Sequence, residues 1–148
     1  MKYRQFFDRV RNNGERLVPG ISDMPETIRH LSSYFFMRDI IEADIRRAQR
    51  DVTILELGSG TGYGSHLLSR IPGVVKVTAV DIAPECREYA ETFFPSTTVE
   101  HHIADIRLFA RNAGQYDYIV SRGVLEHFPE GLAVLENLHA ECRIIVNV

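Results

Sequence analysis

Four glycines in seven positions, Gly58, Gly60, Gly62 and Gly64, follow the apolar run "VTILEL" (52–57) directly and lead into "SHLL" (65–68). A strand that passes at once into a helix through such a turn opens a βαβ unit. Glycine there lets the backbone turn sharply and lets a ligand approach without a Cβ in its way. Apolar segments recur downstream: "VVKVTAV" (74–80), "TVEHHI" (98–103), "YDYIVS" (116–121) and "CRIIVNV" (142–148), separated by helix-like stretches or long connections. At least four of the five are nearly continuous in apolar residues, as parallel strands covered by helices on both faces are. The expected fold is α/β, a doubly wound and mostly parallel sheet of five strands. In such a sheet a ligand sits outside the carboxyl ends of the strands, where the strand order reverses, and the glycine stretch falls at that place.

Ahead of the core, "PETIRHLSSYFFMRDIIEADIRRAQ" (25–49) has apolar residues at 28, 31 and 35 and at 34, 37, 41, 45 and 48, the spacing of an amphipathic helix. Ser22 or Asp23 suits its N-cap, with Pro25 and Glu26 in the first turn. Residues 2–12 read as a short helix, and "NNGERLVPG" (12–20) as a loop punctuated by Gly14, Pro19 and Gly20. A chain of 148 residues fits one domain, here 1–50 as a helical cap and 51–148 as the α/β core.

With 45% hydrophobic and 25% charged residues, the composition is that of a globular rather than a disordered chain. No apolar run approaches the roughly 20 residues that a membrane span needs. "MKYRQFFDRV" lacks the marks of a secretory signal, so the expected location is cytoplasmic. A net charge of −3 leaves no broad footprint for nucleic acid, and "RRAQR" (46–50) reads as the solvated end of a helix. Cys86 and Cys142 form no C-x-x-C pair and are expected as buried free thiols. His101 and His102, adjacent on a strand, point to opposite faces and cannot hold a metal together, and no metal site is expected.

The glycine spacing fails the dinucleotide pattern G-x-G-x-x-G, because position 63 is Tyr, and no Lys followed by Ser or Thr makes a phosphate loop. What remains is E-x-G-x-G-x-G, with Glu56 at the strand end. "LELGSGTGYG" resembles the cofactor loop of class I S-adenosylmethionine-dependent methyltransferases, and further landmarks follow in that family's order. Asp81 ends "VTAVD", Asp105 stands in "HHIADI", and "YDYIVSRGVLEHFPE" matches the fourth strand and the loop toward the methyl acceptor. The resemblance covers residues 52–130 and implies a Rossmann-like methyltransferase fold with N-terminal helices, lacking the family's C-terminal antiparallel hairpin. It implies S-adenosyl-L-methionine as cofactor, bound by Glu56, Gly58, Ser59, Gly60, Gly62, Asp81, Ile82, Asp105, Ile106 and Ser121. Asp81 would hold the ribose hydroxyls and Asp105 the adenine amino group. "NGERLVPG" followed by "ETIRHLSSYFF" also resembles a bacterial subgroup often found beside sugar-modifying enzymes, with G-E-R-x-V-P ahead of the loop.

The cofactor is a sulfonium without phosphate, so its loop can do without Lys or Arg and can carry an acid near the ligand's ammonium. Asp81 alone would equally suit the ribose diol of NAD. The failed third-glycine spacing and Asp105 separate the two, leaving an NAD-binding protein as the lesser alternative. Each acid also has a structural reading: Glu56 as a cap of loop amides, Asp81 as the cap of a helix at "APECREYA", Asp105 as the cap of one at "IRLFA". Tyr63 and His66 pack on the first core helix in this reading, with Tyr63 able to border the methionine tail.

In-line methyl transfer from an activated donor depends on positioning and exclusion of water, and a general base is needed only where the acceptor must lose a proton. His127 in "LEHF" is the first candidate and Glu126 the second; packing over the cofactor is the plainer role for His127. Ser121 and Arg122 end the fourth strand within reach of cofactor or acceptor. Arg16, His30 and Tyr34 suit a lid, with Arg16 able to reach the cofactor carboxylate. "SRGVLEH" is unlike the Pro-Pro-aromatic loop of base-amine methyltransferases and has no nucleophilic Cys after Pro, which leaves a small-molecule, sugar or lipid-linked acceptor. The apolar last strand invites pairing at its edge, as in a homodimer. A catalytically silent or truncated cofactor-binding module is the alternative to an enzyme.

Overall fold

The computed structural model describes residues 2–12, 16–112, 114–129, 131–136, 138 and 142–147. Two helices, α1 (Lys2–Asn12) and α2 (Met24–Ala48), precede an alternation of β1 (Val52–Leu57), α3 (Tyr63–Ser69), β2 (Val74–Asp81), α4 (Pro84–Phe93), β3 (Val99–Ile103), α5 (Ile106–Asn112) and β4 (Tyr118–Arg122). A 3₁₀ turn (Leu125–His127), α6 (Gly131–Glu136) and β5 (Arg143–Asn147) complete it. The five strands form one sheet in the order β3-β2-β1-β4-β5, and every pairing is parallel. The chain builds outward from β1 to β3, then crosses back to lay β4 against the other side of β1. That reversal puts the switch point between β1 and β4, at the mouth of the glycine loop.

Alternation along β1 sends Ile54 to one face and Leu55 and Leu57 to the other. Ile54 joins Met37 and Ile41 of α2, Leu68 of α3, Val77, Tyr118 and Val120 in one cluster. Leu55 and Leu57 join Val80, Ile106, Ala110, Ile119, Leu125 and Val134 beneath α5 and α6. The outer strands are the more exposed ones, β3 polar and β5 apolar at its centre, with Ile144 exposed. On the outer side of α4, Tyr89 packs with Phe6 and Val10 of α1 and with Val18.

Asp23, rather than Ser22, caps α2, its side chain accepting from the Glu26 amide at 2.8 Å. Ser22 instead accepts from the Val18 amide at 3.0 Å. Of the two apolar stripes expected on α2, only the one through Tyr34, Met37 and Ile41 is buried; Ile28 and Phe35 are exposed. The second stripe runs on into Arg38 and Glu42, which pair with each other, so it is not apolar for the length of the helix. Met37 and Ile41 each contribute roughly 1.5–3 kcal/mol by leaving water.

The buried stripe continues into a carboxylate. Asp44 accepts from Arg47 at 2.7 Å and also from the Tyr118 hydroxyl and Arg143, joining α2 to β4 and β5. The hydrogen bond from Tyr118, with those from the arginines, holds its carboxyl well below the usual range. Arg46 pairs with Glu42 and Arg50 with Asp117, so the basic cluster meets carboxylates of its own chain.

Cys86 is buried and its thiol pushed up to about 12 by burial, but Cys142 is only half-buried, against expectation, because it enters the edge strand β5. His102 packs on Phe109 of α5 and His101 lies beside Gly62, on opposite faces of β3. Among the described residues, no helix is long and apolar enough to cross a membrane.

Candidate active site

The loop after β1 is stitched to the end of β2: the Gly58 and Ser59 amides donate to the Val80 carbonyl at 2.8 and 3.0 Å, and Gly62 donates back to Ser59 at 3.0 Å. Gly62 turns the chain into α3 at φ 79°, and a Cβ there would stand 2.4 Å from that of Ala90, so both backbone and packing require glycine. Gly60, at φ 52°, differs, because a Cβ would meet nothing within 4 Å. The space in front of Gly60 is part of a cavity of 680 Å³ at the carboxyl ends of the strands.

Asp81 ties the loop to β2. One carboxylate oxygen accepts from the Gly60 amide at 2.9 Å and the other from Ala83 at 3.0 Å. The N-cap of α4 is Ala83, so Asp81 does not cap that helix. Asp105 precedes α5 and does serve its start, accepting from the Arg107 amide at 2.9 Å while its own carbonyl accepts from Leu108 and Phe109. The Arg107 guanidinium also pairs with it, and these bonds lower its carboxyl to about 2.

Gly58, Ser59, Gly60, Asp81, Ile82, Asp105, Ile106, Glu126 and His127 all line this one cavity. Arg16, His30, Tyr34, Tyr63 and Arg122 line it as well. Arg16 enters it while paired with Glu85 at 3.2 Å. Gly14 and Glu15 of the G-E-R-x-V-P segment lie outside the described residues.

Glu56, Gly62 and Ser121 stand behind the wall rather than in it. Ser121 donates to the Leu57 carbonyl at 3.1 Å, joining the ends of β4 and β1. Glu56 is 1% exposed and accepts from the Tyr34 hydroxyl at 2.5 Å and from Ser65, so its partners are side chains and not loop amides. Burial raises its carboxyl to about 7 even though both hydrogen bonds work the other way.

A second polar chain crosses from α2 to β4. The Arg122 Nη1 lies 2.6 Å from His30 Nε2, and His30 Nδ1 lies 2.7 Å from the Tyr63 hydroxyl. Burial first, then Arg122 and Arg29, lower the His30 imidazole to about 4, so it is neutral at pH 7. Tyr63 opens α3 and packs edge-on to Tyr34, 5.3 Å between centroids, so it belongs to the cavity wall and to α2 as much as to its own helix. His66 packs away from the cavity, against Phe94. Thr61 donates to the Leu17 carbonyl at 2.8 Å, holding the segment before α2 over the loop. None of these partnerships has a local signal in the sequence, since each joins residues 28 to 92 positions apart.

Residues 21–143 match a family model described as a methyltransferase domain. Among curated proteins, the chain is 35% identical over 91 residues to a malonyl-[acyl-carrier protein] O-methyltransferase of Acetivibrio thermocellus, covering 61% of this chain and 30% of that protein. It is 31% identical over 85 residues to a ubiquinone biosynthesis O-methyltransferase of Xanthomonas campestris pv. campestris, covering 55% of this chain and 35% of that one. The chain thus spans about a third of the length of these relatives. Among solved structures, the N-methyltransferase NodS from Bradyrhizobium japonicum WM9, in complex with S-adenosyl-L-homocysteine, superposes with a TM-score of 0.66 at 16% identity, over 97% of this chain and 71% of that one. The N-terminal domain of EvdMO1, in the presence of S-adenosyl-L-homocysteine and D-fucose, gives 0.63 at 24% identity, over 99% and 64%. At these identities the structures show a shared fold.

Proposed function

This chain belongs to the methyltransferase-domain family, and we propose that it binds S-adenosyl-L-methionine and serves methyl transfer to a small-molecule, sugar or lipid-linked acceptor. The observation that carries this reading is a convergence: the glycine loop after β1, Asp81 at the end of β2 and Asp105 after β3 open onto one cavity. The residues present fit a phosphate-free adenosyl ligand. Open space stands where a Cβ of residue 60 would be, and the loop carries no lysine. Ile82, 65% exposed beside Asp81, and the neighbouring Ile106 offer apolar surface to a flat base. Asp81 would accept from the ribose hydroxyls through the lone pairs that Gly60 and Ala83 leave, and Asp105 from the adenine amino group.

When bound, this cofactor supplies an electrophilic methyl group on a sulfonium. The chain's own part is to fix the donor and acceptor and to keep water out. His127 and Glu126, on the 3₁₀ turn after β4, line the cavity, and either would take the proton of an acceptor hydroxyl. Glu56 supports the wall from behind by fixing Tyr34 and Ser65. The names of the curated relatives, both O-methyltransferases, favour oxygen as the methylated atom.

Titration calorimetry tests the reading. Binding of S-adenosylmethionine and S-adenosylhomocysteine is expected, and binding of NAD with neither of these would overturn it. Transfer of labelled methyl from the donor to a panel of hydroxyl acceptors separates an active enzyme from a silent binding module.

A further inference from the structure

Arg122 brings an unusual demand into the cavity. Its Nε–H is buried and meets no acceptor, and among the described residues no carboxylate pairs with it. Arg16 and Arg107, in the same wall, are paired with Glu85 and Asp105, whereas Glu26 and Glu126 line the cavity without forming an ion pair to Arg122. The Nη1 of Arg122 does have a partner, His30 Nε2. A guanidinium has no lone pair to offer, so His30 must accept there and donate its Nδ1–H to the Tyr63 oxygen. That oxygen already receives one hydrogen bond, and among the described residues its own proton finds no acceptor. His30 is neutral, so the group carries the single positive charge of the guanidinium.

The cavity wall at this point therefore holds one part-buried cation and two N–H or O–H donors without acceptors. A guanidinium whose Nε–H is withdrawn from water with neither an acceptor nor a counter-charge is unfavourable until a ligand supplies them. Its planar fork matches a carboxylate. We propose that Arg122 and Tyr63 form a carboxylate-binding subsite of the cavity, positioned by His30. The carboxylate comes from the amino-acid tail of the methyl donor or from the acceptor, and the proposal rests on the methyl-transfer reading of the cavity.

The test compares wild type with Arg122→Met, Arg122→Lys and Tyr63→Phe by calorimetry. The ligands are S-adenosylhomocysteine, 5′-methylthioadenosine, which lacks the amino-acid tail, and malonate. If the donor's tail occupies the subsite, Arg122→Met weakens S-adenosylhomocysteine by at least about tenfold and leaves 5′-methylthioadenosine unchanged. If the acceptor's carboxylate occupies it, both nucleosides bind as before, but malonate binds the wild-type S-adenosylhomocysteine complex and its affinity falls by at least about tenfold in the variant.

In either arm Tyr63→Phe weakens the same ligand, and Arg122→Lys, with charge but no fork, restores part of the loss. Retained binding of 5′-methylthioadenosine reports that a variant is folded; if Arg122→Met does not fold, Tyr63→Phe decides alone. Unchanged S-adenosylhomocysteine affinity in the variants, with no malonate binding to wild type, overturns the subsite. Failure of wild type to bind either nucleoside discards the methyl-donor reading instead. Malonate titrated onto that free protein then decides the subsite: binding lost in Arg122→Met supports it, and no binding overturns it.

Discussion

At the scale of single residues, the buried Glu56 and the half-buried His30 oppose each other in their dependence on pH. Glu56 holds its proton more tightly in the folded chain, with its carboxyl raised from 4.5 to about 7. The stability this lends is complete below about pH 4.5 and is lost as pH rises through 7, on the order of 3 kcal/mol over that window. His30 is lowered from 6.5 to about 4, so its contribution is present above pH 6.5 and is lost as pH falls toward 4. The windows overlap with opposite signs. Glu56→Gln removes the falling limb, and its urea midpoint should rise with pH between 4.5 and 6.5 relative to wild type; parallel profiles would mean that Glu56 titrates normally. The glycines divide in a similar way. Gly62→Ala forces a Cβ to 2.4 Å from Ala90 at a left-handed φ and should cost about 2–4 kcal/mol in urea denaturation. Gly60→Ala meets no atom and should cost only about 1 kcal/mol, yet weaken S-adenosylhomocysteine by tenfold or more in calorimetry. Equal stability losses with unchanged binding would remove Gly60 from the ligand site.

At the scale of elements, α2 determines how the N-terminal part meets the sheet. Its buried stripe runs from Tyr34, whose ring fills the place of a Cβ on Gly64, to Asp44, which reaches Tyr118 and Arg143. Tyr118→Phe deletes a buried hydrogen bond while Asp44 keeps Arg47 and Arg143, so a loss of about 1 kcal/mol in chemical denaturation is expected. No loss would mean that the arginines alone anchor the carboxylate. The elements themselves were legible in the sequence, because helix and strand periods are local: all five strands and both N-terminal helices fall within two residues of their expected bounds. Which face each element buries was less legible. In "EADIRR", Asp44 reads as one more surface charge, and its partner Tyr118 is 74 positions away. The exposed Ile28 and Phe35 read as core for the same reason, since a stripe on one helix does not say what lies opposite it.

At the scale of the whole molecule, the strand order β3-β2-β1-β4-β5 brings the loops after β1, β2, β3 and β4 to one rim, and α2 closes that rim from the side with Glu26, His30 and Tyr34. The loop acids were readable because strand ends and spacing mark them. His30, Tyr63 and Arg122 were each readable as neighbours of the ligand, but their contacts with one another were not, because these form only when α2, α3 and β4 meet. A ligand touching both parts should therefore couple them. S-Adenosylhomocysteine at about one hundred times its dissociation constant would stabilise the fold by about 2.7 kcal/mol and slow globally exchanging amides about a hundredfold. Hydrogen exchange should then show added protection along residues 30–41 of α2 as well as in the loop at 58–62. If α2 belongs to the site, its amides gain protection in step with those of β1. Protection confined to 58–62 and 81–83 would instead mean that the ligand rests on the sheet alone and that α2 opens independently above it.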